Sequence, residues 1–157
     1  MASSIQLSLQ MQKGSKADGT LGYMTEEQYE QLVNSDFVEQ AGHRRIIGYA
    51  SNTSSHSIEI NYADSVQQEL TFCVPTHGAA PEKANEIATT DLALKALGVE
   101  PEIGAEVPLE FELRGKTYHY DMVLSGWWEA SNDSVSVATV SEQFINCLLY
   151  TSDAADD

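Results

Sequence analysis

"VPLEFELRGKTYHYDMVL", Val107 to Leu124, is the stretch that decides the fold. Before its centre, Val107, Leu109, Phe111 and Leu113 alternate with Pro108, Glu110 and Glu112. After Arg114-Gly115-Lys116, Tyr118, Tyr120, Met122 and Leu124 alternate with Thr117, His119 and Asp121. A period of two puts successive side chains on opposite faces of an extended chain. Two such runs around a short Gly-containing loop make a β-hairpin. Leu109, Phe111, Tyr118 and Tyr120 are expected to face a core, while the Glu and His residues between them face water.

Downstream, Ser125-Gly126-Trp127-Trp128-Glu129 closes the hairpin. Neighbouring strand residues point opposite ways, so one Trp is expected in the core and the other at a surface or contact. Val135 to Val140 reads as a further strand. Upstream, a helix is expected from about Thr90 to Leu97, with Leu92, Ala93, Ala96 and Leu97 as its apolar stripe and Gly98 ending it. Pro75 to Pro81 interrupts any ladder.

Earlier in the chain, Ile58, Ile60 and Tyr62 alternate with polar residues, as do Leu70, Phe72 and Val74, so both segments read as strands. Phe37 to Ala50 reads as extended chain around a turn at Gly42, with Ile46, Ile47 and Tyr49 buried. A first helix begins at Thr25, whose hydroxyl can cap the first turn while Gln28 reaches back, and Tyr29, Leu32 and Val33 share one face. Ile5, Leu7, Leu9 and Met11 alternate in a first strand, and Lys13 to Gly22 reads as a loop. Strands outnumber helices without regular alternation and no repeat is visible. The expectation is an α+β domain with a mixed, mainly antiparallel sheet and two short helices.

A chain of 157 residues fits one domain. Its formal net charge is −16, and Arg44-Arg45 is its sole adjacent basic pair. Such a surface repels a nucleic-acid backbone and anionic lipid alike. No segment has the ~20 apolar residues of a spanning helix. The N-terminus lacks the basic and apolar regions of a signal peptide.

The chemistry-bearing residues are dispersed. His43, His56, His77 and His119 have no helical i, i+4 pairing and no Cys or carboxylate at ligand spacing. Cys73 reads as a thiol on a strand, with no activating base in sight. Glu26-Glu27 suits the first turn of a helix, and Glu106, Glu110 and Glu112 a solvated face. Phosphate-cradling and nucleophile-elbow motifs are missing from the sequence. No catalytic, cofactor-binding or metal-ligating residue is assigned, and no enzyme activity is expected.

One longer segment carries a family likeness. "PEKANEIATTDLALKALGVEPEIGAEVPLEFELRGKTYHYDMVLSGWWE", Pro81 to Glu129, resembles the extracytoplasmic domain of FtsX-like, MacB-type ABC transporter permeases, particularly those of Gram-positive bacteria. The likeness rests on Asn85-Glu86-Ile87, Ala96-Leu97-Gly98, Ile103-Gly104, Gly115 to Tyr118 and Leu124 to Trp128, in that order. Met24 to Leu32 is similar to the family's earlier helix, and Val137 to Ile145 to its next strand and helix.

The resemblance implies a MacB-type periplasmic-core-like fold outside the bacterial cell membrane, between the first and second membrane helices of a parent permease. It implies an ATP-binding cassette subunit and a second permease copy as partners, with no nucleic acid and no cofactor. Substrate or partner binding would be coupled to membrane-helix motion. A free-standing secreted or lipid-anchored binding module of similar fold is the alternative, and a small enzyme with a site assembled in three dimensions is a third.

The end of the chain reads differently. "CLLYTSDAADD", Cys147 to Asp157, shows no periodicity. It is similar to a transposase-type sequencing adapter translated in frame, since TGT CTC TTA TAC ACA TCT GAC GCT GCC GAC encodes its start. The expected division is therefore residues 1–146 as a partial extracytoplasmic domain and residues 147–157 as a non-native, adapter-like tail. A domain cut at Asn146 is expected to lack part of its sheet or core.

Overall fold

The hairpin forms as the alternation requires. Glu106–Leu113 pairs antiparallel with Lys116–Trp128, with Phe111 opposite Tyr118 and Leu109 opposite Tyr120. Arg114 and Gly115 make the connection with φ of 53° and 77°, the left-handed pair that a two-residue turn of matching twist demands. The structure is a computed structural model that describes residues 25–36, 38–130 and 135–155. The expected strand Ile5–Met11 and the loop Lys13–Gly22 lie outside the described residues.

In chain order the elements are α1 (Glu26–Val33), β1 (Arg44–Tyr49), β2 (Ser57–Ala63), α2 (Ser65–Leu70), β3 (His77–Gly78), β4 (Glu86–Thr90), α3 (Asp91–Ala96), β5 (Glu106–Leu113), β6 (Lys116–Trp128), β7 (Val135–Val140) and α4 (Glu142–Ala155). The fold is α+β. Its mixed sheet runs β1-β2-β7-β4-β6-β3, with β5 on β6. β2–β7 and β4–β6 are parallel, and β1–β2, β3–β6, β4–β7 and β5–β6 are antiparallel. The sheet also curls. Ala50 bridges Phe111, and the Ser51 N–H donates to the Glu110 carbonyl at 2.8 Å, bringing the end of β1 onto β5.

The core lies inside this curl. Ile58 and Ile60 of β2, Ala138 and Val140 of β7, Leu109 and Phe111 of β5, and Met122 and Leu124 of β6 are all buried. Leu94 of α3 and Phe144, Ile145 and Leu148 of α4 complete the same cluster. Trp128 is buried, whereas Trp127 is half-buried and stacks on His77, as expected for neighbours on opposite faces.

Helix ends follow local chemistry. Thr25 Oγ1 accepts from Gln28 N–H, and Gln28 Oε1 accepts from Thr25 N–H, which is the capping box read from the sequence. At the end of α3, Gly98 takes φ of 73°, and the Val99 and Gly98 N–H groups bond the Leu94 and Lys95 carbonyls. This is a Schellman closure.

Several expectations are corrected. Leu70, Phe72 and Val74 do not form a strand. Asp64 Oδ1 accepts from Gln67 N–H at 2.8 Å and starts α2 instead. The Cys73 and Phe72 N–H groups then bond the Gln68 and Glu69 carbonyls, with Phe72 at φ of 58° where α3 uses glycine. The alternation therefore spans a helix end, and Phe72 and Val74 are exposed.

Ile46 and Tyr49 are exposed too. β1 is a terminal strand with an irregularity between Ile46 and Gly48, and of the three expected residues only Ile47 packs on the core. Helices number four among the described residues, not two. The segment after Asn146 is not without pattern: α4 runs through it, and Phe144, Ile145 and Leu148 fall on one helical face, with Leu148 only 4% exposed. The adapter likeness concerns codons, whereas this packing concerns the side chain at position 148.

Two measurements check this fold. Phe111 is 0% exposed and Glu112 is exposed. Phe111→Ala should cost about 3–5 kcal/mol in urea unfolding, and Glu112→Ala less than about 0.5 kcal/mol. Equal losses would mean the register is wrong.

The second check lies in the turn before β4. Glu86 Oε1 accepts from the Lys83 N–H at 2.8 Å and the Glu82 N–H at 3.1 Å. The Lys83 N–H is the main cause that holds the carboxyl below its ordinary value of 4.5, against a smaller opposing effect of burial. A depressed folded-state value contributes stability above the ordinary pKa and loses it as pH falls through the depressed one. Glu86→Gln should thus be less stable than the parent at neutral pH, with the gap closing in acid. A pH-independent gap would contradict this.

Candidate functional site

Parallel pairing of β2 with β7 sets Ile58 beside Ser136. His56, at the start of the same register, reaches across so that its Nε2 lies 2.6 Å from Ser136 Oγ. Ser136 Oγ also meets Thr90 Oγ1 in a very short contact, and Thr90 Oγ1 accepts from the Ala93 N–H as the N-cap of α3. These four atoms, two nitrogens and two oxygens, form one continuous hydrogen-bonded chain. The Ala93 N–H donates to Thr90 Oγ1, and the Thr90 and Ser136 hydroxyls, each able to donate and accept, pass the chain on to the His56 ring. Beside it is an open cleft of about 330 Å³ lined by Ser55, His56, Leu92, Lys95 and Ala96.

A hydroxyl within hydrogen-bond reach of an imidazole is the pairing that activates serine nucleophiles. Here the oxygen is inaccessible. Ser136 is 3% exposed and its hydroxyl is shared with Thr90, so an incoming carbonyl has no approach. What the arrangement does is clasp three segments: the end of the 51–56 loop, β7, and the start of α3. Sequence reading missed it because His56 and Ser136 are 80 residues apart and are joined only by a parallel register.

The other candidates remain dispersed. His43 sits by Tyr29 and Tyr62, with ring centroids at 5.4 and 6.4 Å, and ties α1 to β2. His77 stacks on Trp127 at 3.9 Å. His119 lies on the wet hairpin face, 3.7 Å from Glu110 and 3.4 Å from Asp121. Among the described residues, no group of three or more His, Cys, Asp or Glu is placed to hold a metal. Of the Arg44-Arg45 pair, Arg44 turns to Glu59 at 3.6 Å. Glu26 and Glu27 occupy the first turn of α1, and Glu106 and Glu112 are exposed.

Cys73 is in the turn after α2, not on a strand, and its thiol donates to the Thr71 carbonyl. Burial pushes the thiol above its ordinary pKa, an effect that the Thr71 side chain, as distinct from its carbonyl, offsets only in part. A raised thiol pKa lowers the thiolate fraction and with it the nucleophilicity.

No protein-family model matches the chain, and no curated protein matches it.

Thiol chemistry checks the placement. Cys147 is exposed and Cys73 is not. In the native protein near neutral pH, iodoacetamide should modify Cys147 at least about tenfold faster than Cys73. Equal rates, read by peptide mass mapping, would show that the turn after α2 does not cover Cys73.

Proposed function

We propose that residues 1–146 are a partial extracytoplasmic domain of an FtsX-like, MacB-type ABC transporter permease. In this role the chain engages a substrate or accessory partner outside the membrane and couples it mechanically to the permease's membrane helices. It is not an enzyme in itself, and ATP hydrolysis belongs to a separate cytoplasmic subunit.

The observation that carries the reading is the order of the short motifs and where they fall. Asn85-Glu86-Ile87 opens β4, and Ala96-Leu97-Gly98 closes α3. Ile103-Gly104 precedes β5, Gly115 to Tyr118 turns into β6, and Leu124 to Trp128 ends β6. Val137 to Ile145 spans the junction of β7 and α4. Motifs at element junctions are the ones a shared fold would demand, because caps, turns and strand starts tolerate few residue types. The α+β mixed sheet agrees with the reading.

The test is the source locus. Sequencing past both ends should find an apolar span of ~20 residues upstream and another downstream, with native codons replacing the adapter-like ones after Asn146. An open reading frame without either span would refute the proposal. If that frame carried an export signal instead, the free-standing secreted or lipid-anchored module would take its place.

A further inference from the structure

The face of the sheet opposite the core carries an unusual pair. Asn61 of β2 and Thr139 of β7 are direct partners in the parallel register, each only 2% exposed. Among the described residues, Asn61 Oδ1 and Thr139 Oγ1 are the buried side-chain polar atoms without a hydrogen-bond partner. Both line one small cavity of about 30 Å³, which Gln67, Thr71 and Cys73 cover from α2 and its following turn, with Arg44 at the side.

The orientation of Asn61 is fixed by its neighbour. Its Nδ2 donates to Glu59 Oε2 at 2.8 Å, and Arg44 lies 3.6 Å from the same oxygen. An ionised carboxylate accepts only, so a flipped amide would set oxygen against oxygen. Oδ1 therefore points into the cavity as an acceptor in need of a donor. Thr139 Oγ1 beside it can both donate and accept. Leaving either unpaired and buried is unfavourable, as buried polar groups in folded proteins nearly always find a partner.

The occupant's chemistry follows. It must donate to Asn61, complement a hydroxyl and carry no charge, because Arg44 opposes a cation and Asn61 Oδ1 opposes an anion. It must also be very small, since a water needs about 10–15 Å³ of such space. We propose that this cavity is a water-binding site, in which one or two ordered waters donate to Asn61 Oδ1 and bridge to Thr139 Oγ1. α2 and its turn are then seated on the sheet through water as well as through the Gln68 Nε2 bond to the Ala63 carbonyl.

Thr139→Val in the full chain is the test, because it removes the hydroxyl at nearly constant shape. A bridged hydroxyl loses a hydrogen bond, so the unfolding equilibrium constant should rise about five- to tenfold. A dry, unpaired hydroxyl would be relieved by the change, and unaltered or increased stability would overturn the proposal. A high-resolution crystal structure of the parent chain gives the direct reading. Solvent density within hydrogen-bond distance of both atoms is expected, and its absence overturns the proposal whatever the variant does.

Discussion

Everything in this fold depends on β6 satisfying its backbone on two sides at once. The strand is 13 residues long, and no single neighbour covers it. Its first part takes β5 on one side. The Val123 N–H then turns to the Asn85 carbonyl at the start of β4, while the Leu124 N–H turns back to the Ala105 carbonyl just before β5. At its end, β4 lies on one edge and β3 on the other. Gly126 is where that crowding is greatest: a Cβ there would sit 2.5 Å from the Ala79 carbonyl oxygen. Only glycine lets β3 approach so closely.

The two-residue turn at Arg114-Gly115 sets the phase of these bonds. Once Leu113 faces Lys116, parity alone decides which residues bond inward and which outward. Pro108 then falls where its missing N–H would have pointed away from β6, so a proline in the strand removes no bond from the hairpin. The same parity turns the Pro108 and Glu110 carbonyls outward, where Asn52 Nδ2 and the Ser51 N–H reach them. The curl of β1 onto β5 therefore follows from the turn. Packing follows in its wake, because one phase puts Val107, Leu109, Phe111, Tyr118, Met122 and Leu124 on the inner face together.

What could be read in advance was what local chemistry decides. The hairpin, the box at Thr25, the stop at Gly98 and the split between Trp127 and Trp128 all depend on residues a few positions apart. The segment around Phe72 misled because a helix end can mimic alternation over three positions, and the Asp64 cap outweighs it. Ile46 and Tyr49 misled because apolarity alone does not reveal that a strand lies at the end of a sheet. The polar clasp of His56, Ser136 and Thr90, and the pairing of Asn61 with Thr139, were beyond reach for one shared reason. The second arises from the parallel register of β2 with β7 and the first from that register together with the antiparallel pairing of β4 with β7, and no local pattern encodes which strands become neighbours. The proposed function rests on motif order, which survives in the sequence even where contacts do not.

The hairpin phase is the claim to test first, and proton NMR reads it directly. Residues opposite each other without mutual hydrogen bonds bring their α-carbons to about 4.5 Å. Strong Hα–Hα cross-peaks are expected for Glu112–Thr117, Glu110–His119 and Pro108–Asp121. Cross-peaks displaced by one residue, such as Phe111–His119 or Leu109–Asp121, would contradict it, since that slip would turn one strand's apolar residues out to water.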